Sequence, residues 1–304
     1  LLSPFQYTQE TATFATTGGH VWPAARRLVE YFECGADEEG LTRPEVRVLE
    51  LGAGTGWLAM ALARNLPNAR SIVPTEMASG GALAWLQRNI CANERDRRDG
   101  GDGLWKPGVL SAVECDWSTY LGGAATKSGY GDDEMGGGEF GDGDGDGEAD
   151  CNGDADGECV IRDTDEQSPS TSSSFLNSTP WDFIVGSDLV YDDNGTWMLP
   201  KVFRALLDYS SKARRKELMT MNQSDAPAKK TACAFYAHTK YRYELRDIEF
   251  FAEMKKCGLV LTEVKEPNAP TPPSSPEALS QLFPEKRIAV FRITRAEDED
   301  EDGL

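Results

Sequence analysis

The chain has 304 residues, 39% of them hydrophobic, and a formal net charge of -20. That length and apolar content suffice for one large α/β domain or two small ones, and no stretch reaches the roughly 18 apolar residues of a membrane span. The charge is uneven: residues 121–180 hold 15 acids against two bases, and residues 296–304 hold six acids and no base. The nearly neutral remainder lacks the basic surplus that favours nucleic acid.

Residues 1–19 are Thr-rich and polar, and they predict an irregular lead-in. Gly18-Gly19-His20-Val21-Trp22-Pro23 precedes a helical pattern at Ala24, Ala25, Leu28, Val29 and Phe32. Pro23 suits the first helical position, where a missing N–H costs nothing, and Gly35 is the expected stop. A strand over 46–51 runs into Gly52-Ala53-Gly54-Thr55-Gly56, and a helix over 57–65 starts at once. Glycine lets the backbone turn sharply and come close to a ligand. The helix start beyond it offers free N–H groups and a positive dipole end.

Ser71–Glu76 reads as the second strand, although Pro74 cannot donate to a ladder. A helix over 79–93 follows, and then a third strand and its exit over 109–117. Residues 181–188 give the fourth strand, and 196–207 an amphipathic helix that continues into the basic run 212–216, read as a solvated helix end. Residues 231–238 form the fifth strand. The helix over 245–256 offers Ile248, Phe251, Ala252 and Met254 for packing, and Gly258 closes it. Strands over 259–264 and 287–294 complete the series. Alternation from 46 to 258 argues a mostly parallel sheet with helices on both faces, and the last two strands, with no helix between them, are expected to pair antiparallel at one edge.

The domain organisation follows from composition. Segments 20–120 and 181–294 form one domain, 1–19 is a lead-in, and 295–304 is an acidic tail. The Gly/Asp-rich stretch 121–180 reads as a disordered insertion unable to bury a core.

The glycine spacing is wrong for the pyrophosphate turn G-x-G-x-x-G, because Trp57 stands where its last element would fall. Glu50-x-Gly52-x-Gly54-x-Gly56 instead resembles motif I of the class I S-adenosylmethionine-dependent methyltransferases. Three further stretches narrow the resemblance. Gly18–Ala25, Leu86-Gln-Arg-Asn-Ile-Cys-Ala-Asn93 and Asp182-Phe-Ile-Val-Gly-Ser-Asp-Leu-Val-Tyr191 are similar to the family-16 protein methyltransferases, which include the protein-lysine methyltransferase-like 21 group. The likeness covers about 15–120 and 181–294.

The resemblance implies a Rossmann-like seven-strand fold, S-adenosylmethionine as cofactor and a lysine in a protein substrate as acceptor. It puts Trp22 near the cofactor and makes Gly52, Ala53 and Gly54 the turn, with Glu50 and Gly56 completing the motif. Glu76 would take the ribose hydroxyls, Asp116 and Trp117 the adenine, and Ser187 would offer backbone beside the cofactor. Asp188 and Tyr191 would form an Asp-x-x-Tyr motif facing the target amine. Four features depart from the pattern. Glu76 stands where Asp is common, Pro23 stands where an acid often follows Trp, Pro74 interrupts the second strand, and the acidic insertion is extra.

The chemistry suits these residue types. Methyl transfer from a sulfonium is an in-line displacement that needs a positioned neutral amine, whereas a lysine amine has a reference pKa of about 10.4 and is mostly protonated at neutral pH. Asp188 at a strand end can accept a hydrogen bond from it, and Tyr191 can wall a slot by cation–π attraction of about 0.5–2 kcal/mol. Proton removal and mere orientation by Asp188 both stay open. So do a small-molecule or nucleic-acid acceptor, and a non-catalytic binding module that keeps the fold.

Other features carry less. Asp142-x-Asp144-x-Asp146-Gly147 imitates a calcium loop, but Gly153 stands where the bidentate acid belongs. Cys151 and Cys159 have no His partner nearby, so no metal site is expected. His20 and His238 are read as structural, with His238 also placed to line the substrate mouth. The insertion is either a solubilising loop or a shield and lure for a basic partner. Seven cysteines without a CxxC pair suggest reduced thiols and a cytoplasmic protein, the nucleus being open too. No signal peptide or membrane anchor is visible, and a monomer is expected.

Overall fold

The structure is a computed structural model that describes residues 19–79, 81–95, 105–121, 175–220, 231–264 and 287–299. Helix α1, Pro23–Glu39, leaves an extended Trp22, with Pro23 at its start. It runs through Gly35 and stops at Gly40, where φ is 80° and the backbone N–H is bonded to the carbonyls of Ala36 and Asp37. The expected stop at Gly35 is therefore corrected by five residues: the glycine in the left-handed conformation ends the helix, and Gly35 stays in its interior.

Strand β1, Arg47–Leu51, leads through the glycine turn into α2, Trp57–Asn65. Strand β2, Ser71–Glu76, and α3, Ala82–Arg95, follow. Strand β3 is only Val113–Glu114, and α4, Trp117–Tyr120, starts inside the stretch expected to be strand. Pro74 supplies the reason. Ile72 donates to Val109 and accepts from Ser111, and Glu76 accepts from Cys115. Pro74 has its turn between them and no N–H to give, so the ladder toward β3 breaks, while that toward β1 runs on through Glu50↔Pro74.

Strand β4, Phe183–Ser187, is followed by a π-helical turn, Asn194–Met198, which feeds α5, Leu199–Thr220. Strand β5, Cys233–Thr239, α6, Glu244–Lys256, β6, Leu259–Glu263, and β7, Ile288–Arg295, complete the sheet. Its order is β3-β2-β1-β4-β5-β7-β6. The first five strands are mutually parallel, and β7 runs antiparallel to both β5 and β6. The antiparallel strand is thus one place inside the edge, with β6 outermost.

Two cores follow from the two-residue side-chain period. Val48, Ile72, Phe183, Val185 and Phe235 meet α1, α2 and α3 on one face. Leu49, Leu51, Val73, Ile184 and Tyr236 meet α5 and α6 on the other. On α6 the buried stripe is Phe250 and Met254, while Ile248 is 63% exposed and Ala252 is exposed too, so the expected packing role of both fails.

Two boundaries also move. Residues 175–178 form a helical turn whose Leu176 is buried and accepts the indole N–H of Trp181 at 3.1 Å. The 121–180 segment therefore includes one core residue, Leu176, near its end. Arg295 and Asp298, assigned to the tail, are both buried and paired with each other. The Asp142 motif, Cys151 and Cys159 lie outside the described residues. Among the described residues no cluster of His, Cys, Asp and Glu suits a metal, and no helix is long and apolar enough to cross a membrane.

Candidate active site

The carboxyl ends of the parallel strands open into one cleft of about 920 Å³ of space, open to solvent at its mouth. It is where the sheet order reverses between β1 and β4, the place ligands take in open α/β sheets. Trp22, Glu50, Gly52, Ala53, Gly54, Glu76, Asp116, Trp117, Ser187, Asp188 and Tyr191 all line it. Every expected site residue is there except Gly56. Gly56 has φ 84°, and a Cβ on it would lie 2.3 Å from Leu86 Cδ1. The missing Cβ lets α2 pack on α3, and Gly56 itself does not line the cleft.

The glycine turn is held from β2. The Gly54 N–H donates to Glu76 Oε2 at 2.7 Å, the Met77 N–H donates to Glu76 Oε1 at 3.0 Å, and the Ala53 N–H donates to the Thr75 carbonyl at 2.9 Å. Each Glu76 oxygen keeps a second lone pair for a ligand hydroxyl. Burial raises the Glu76 carboxyl, and the two N–H donors partly oppose the rise. Gly52 and Gly54 have φ of 59° and 55°, and a Cβ on Gly52 would lie 2.4 Å from Leu189 Cδ2.

Glu50 is 2% exposed, and its Oε2 has no hydrogen-bond partner among the described residues. Burial pushes its carboxyl well above the ordinary range. The Ala59 N–H at the start of α2 opposes this, and the charge of Glu76 adds to it. Asp116 has spent Oδ1 on capping α4, accepting the Ser118 N–H at 2.9 Å and its hydroxyl at 2.7 Å. Burial and the surrounding carboxylates push the buried Cys115 thiol, also lining the cleft, up to about 12.

Asp188 directly follows β4 with φ 51°, a left-handed conformation that a non-glycine residue keeps only when its surroundings hold it. Its N–H donates to the Ala237 carbonyl at 2.9 Å. Its Oδ1 accepts the Thr239 N–H and its Oδ2 the Thr239 hydroxyl, both at 2.8 Å. The next N–H, of Leu189, donates to the phenol oxygen of the buried Tyr236 at 2.9 Å. Tyr191 is 39% exposed. Burial first, then Asp192 and Glu76, pushes its phenol up to about 12, so it stays protonated at neutral pH.

The strand-end rule did not reveal Thr239, His20, Met77 or Asn194. Thr239 supports Asp188, and the other three line the cleft. Thr239 ends the neighbouring strand, and β4–β5 pairing is the signal that would have found it. His238, expected near the substrate mouth, is instead 2% exposed, stacked on Phe250 and 3.1 Å from Asp247. His20 lines the cleft beside Trp22.

Residues 4–100 match the sequence model of a family described as lysine methyltransferase. No curated protein matches the chain. Among solved structures it is similar to ribosomal protein L11 methylase from Lactobacillus delbrueckii subsp. bulgaricus, at 11% identity over 88% of this chain and 78% of that one, with a TM-score of 0.37. It is similar to precorrin-6y C5,15-methyltransferase from Geobacter metallireducens at 10% identity, 86% and 88% coverage and a TM-score of 0.37. An arsenic(III) S-adenosylmethionine methyltransferase from Chlamydomonas reinhardtii gives 12% identity, 90% and 73% coverage and a TM-score of 0.36. The chain has a seven-stranded, mostly parallel sheet and, over residues 4–100, is similar in sequence to a family described as lysine methyltransferase.

Proposed function

We propose that the cleft binds S-adenosylmethionine and that the protein transfers the methyl group to the side-chain amine of a lysine in a protein substrate. One observation carries the reading: the β2-braced glycine turn and the strained, fully hydrogen-bonded Asp188 share a single cleft. A binding module would need only one of them.

The residues fit the cofactor. The buried Glu50 Oε2, without a partner among the described residues, suits a ligand ammonium, and an uncompensated buried acceptor otherwise costs about 1–3 kcal/mol. Gly52, Ala53 and Gly54 would take the amino-acid end, Glu76 the ribose hydroxyls and Trp117 the base. When bound, the cofactor supplies a methyl group activated on a sulfonium sulfur.

The chain's own residues do the rest. Asp188 is aimed by Thr239, and its Oδ1 keeps one lone pair to accept a hydrogen bond from the incoming amine, while Oδ2 also accepts a long contact of 3.5 Å from Arg242. That favours the orientation from which the neutral amine attacks. Tyr191 keeps its proton, so it serves as a wall and hydrogen-bond donor, not as a base.

The test is transfer of labelled methyl from S-adenosylmethionine to lysate proteins by the wild-type chain and by Asp188→Ala, with mass spectrometry of the products. Lysine labelling that falls at least about a hundredfold in the variant is expected. Absence of any labelled protein would break the reading, and label on a small molecule or nucleic acid would move the acceptor to that class.

A further inference from the structure

Arg242 lies three residues beyond β5, and its guanidinium is placed where a cation is stabilised three ways. Its Cζ is 4.2 Å from the Trp22 ring centroid and 5.4 Å from that of Tyr243, both within cation–π range. Its Nη1 is 3.5 Å from Asp188 Oδ2. Two of these groups, Trp22 and Asp188, also line the cleft. The backbone that presents Arg242 is fixed. Tyr241 has φ 60°, its N–H donates to Asp247 Oδ2 at 2.8 Å, and its carbonyl accepts from Arg287 at 3.4 Å. The side chain is looser. It is 29% exposed, against 4% for that of Asp188, and at 3.5 Å its contact with Asp188 is at the long limit of a hydrogen bond. Asp188 already has firm donors in Thr239, so it does not need Arg242 for its aim.

We propose that Trp22, Tyr243 and Asp188 form a cation slot for the alkylammonium of the acceptor, and that Arg242 fills this slot until the acceptor displaces it. The proposal rests on the methyl-transfer reading for the meaning of the acceptor, but not for the slot itself. A buried carboxylate flanked by an aromatic face holds one cation well, and two cations beside it repel. The arriving amine therefore exchanges with the guanidinium, which leaves by side-chain rotation while its loop stays in place. Arg242 thereby sets a threshold: only an acceptor that brings binding contacts beyond its amine displaces it.

The probe is n-butylammonium chloride, titrated by calorimetry into the unsubstituted 304-residue chain, Arg242→Ala and Arg242→Ala/Asp188→Asn, with potassium chloride at equal ionic strength as the control. If Arg242 fills the slot about nine-tenths of the time, its removal strengthens binding about tenfold. The added Asp188→Asn change should abolish that gain, and Arg242→Lys, which keeps a cation, should not show it. Equal affinity in wild type and Arg242→Ala, or a gain that survives Asp188→Asn, overturns the proposal. The labelling experiment above separates the two failures. Labelled lysine without the affinity gain refutes the slot alone, and an affinity gain without any labelling refutes methyl transfer alone.

Discussion

Asp188 shows what a single residue needs to be useful. Its left-handed backbone costs of order 1–3 kcal/mol, and the Ala237 carbonyl, the Tyr236 phenol and Thr239 together hold it in place. Thr239→Val keeps the shape but removes the hydroxyl donor to Oδ2. It should cost about 1–3 kcal/mol in chemical denaturation and slow methyl transfer about tenfold, with cofactor affinity by calorimetry unchanged. Equal loss of cofactor affinity would contradict the assignment of Thr239 to Asp188. Gly52→Ala should do the reverse. Its Cβ meets Leu189 at 2.4 Å and its φ is positive, so cofactor affinity should fall by at least about tenfold with about 1–3 kcal/mol of lost stability. Glu76 was legible as an acid at a strand end, and Asp188 through the resemblance of Asp188-Leu-Val-Tyr191 to a known motif. Thr239 and Arg242 were not, since their partner lies more than fifty residues earlier and no local spacing links them.

Elements were readable where their pattern is self-contained, as in β1, α2 and β5, whose apolar periods and glycine punctuation are local. β3 was not: its shortness is set by a proline on another strand. Nor was the π turn at Asn194–Met198, an irregularity often found at functional sites. The Gly195 N–H donates to Asp192 Oδ1 at 2.8 Å, and a Cβ on Gly195 would lie 2.0 Å from the Leu189 carbonyl oxygen. That contact is backbone on backbone and cannot be relieved by a rotamer. Gly195→Ala should therefore push the 188–192 loop off the cleft, lower methyl transfer at least about a hundredfold and cost about 2–4 kcal/mol. A variant with full activity and an unchanged denaturation midpoint would show that the loop yields freely.

For the whole molecule, charge and connectivity matter most. Burial raises the Glu50 carboxyl above its unfolded value, so the folded chain holds that proton more tightly than the unfolded chain does. Its contribution is favourable below the unfolded value near 4.5 and is lost as pH rises toward the folded one. Glu50→Gln removes this slope. At pH 8 the variant's Tm should exceed that of wild type by about 2–4 °C, while at pH 4.5 the two should nearly coincide; parallel melting curves across that range would refute the assignment. The acidic segment offers a second check. Deleting 122–174 spares Leu176, whereas deleting 122–178 removes this buried side chain and the acceptor of the Trp181 indole. The longer deletion should be less stable by about 2–5 kcal/mol, and equal midpoints would remove Leu176 from the core. Composition alone could not place that boundary, because one buried leucine barely changes the average of sixty residues. Connectivity also has a consequence in time. Asp182 accepts the Arg47 N–H at 2.8 Å across 135 positions, and β4 then pairs with β1. At about 5–20 residues per second on a ribosome, the centre of the sheet waits roughly 7–27 s for its neighbour. Over that interval β1 has an open edge, and a nascent-chain chaperone has its best opportunity to bind.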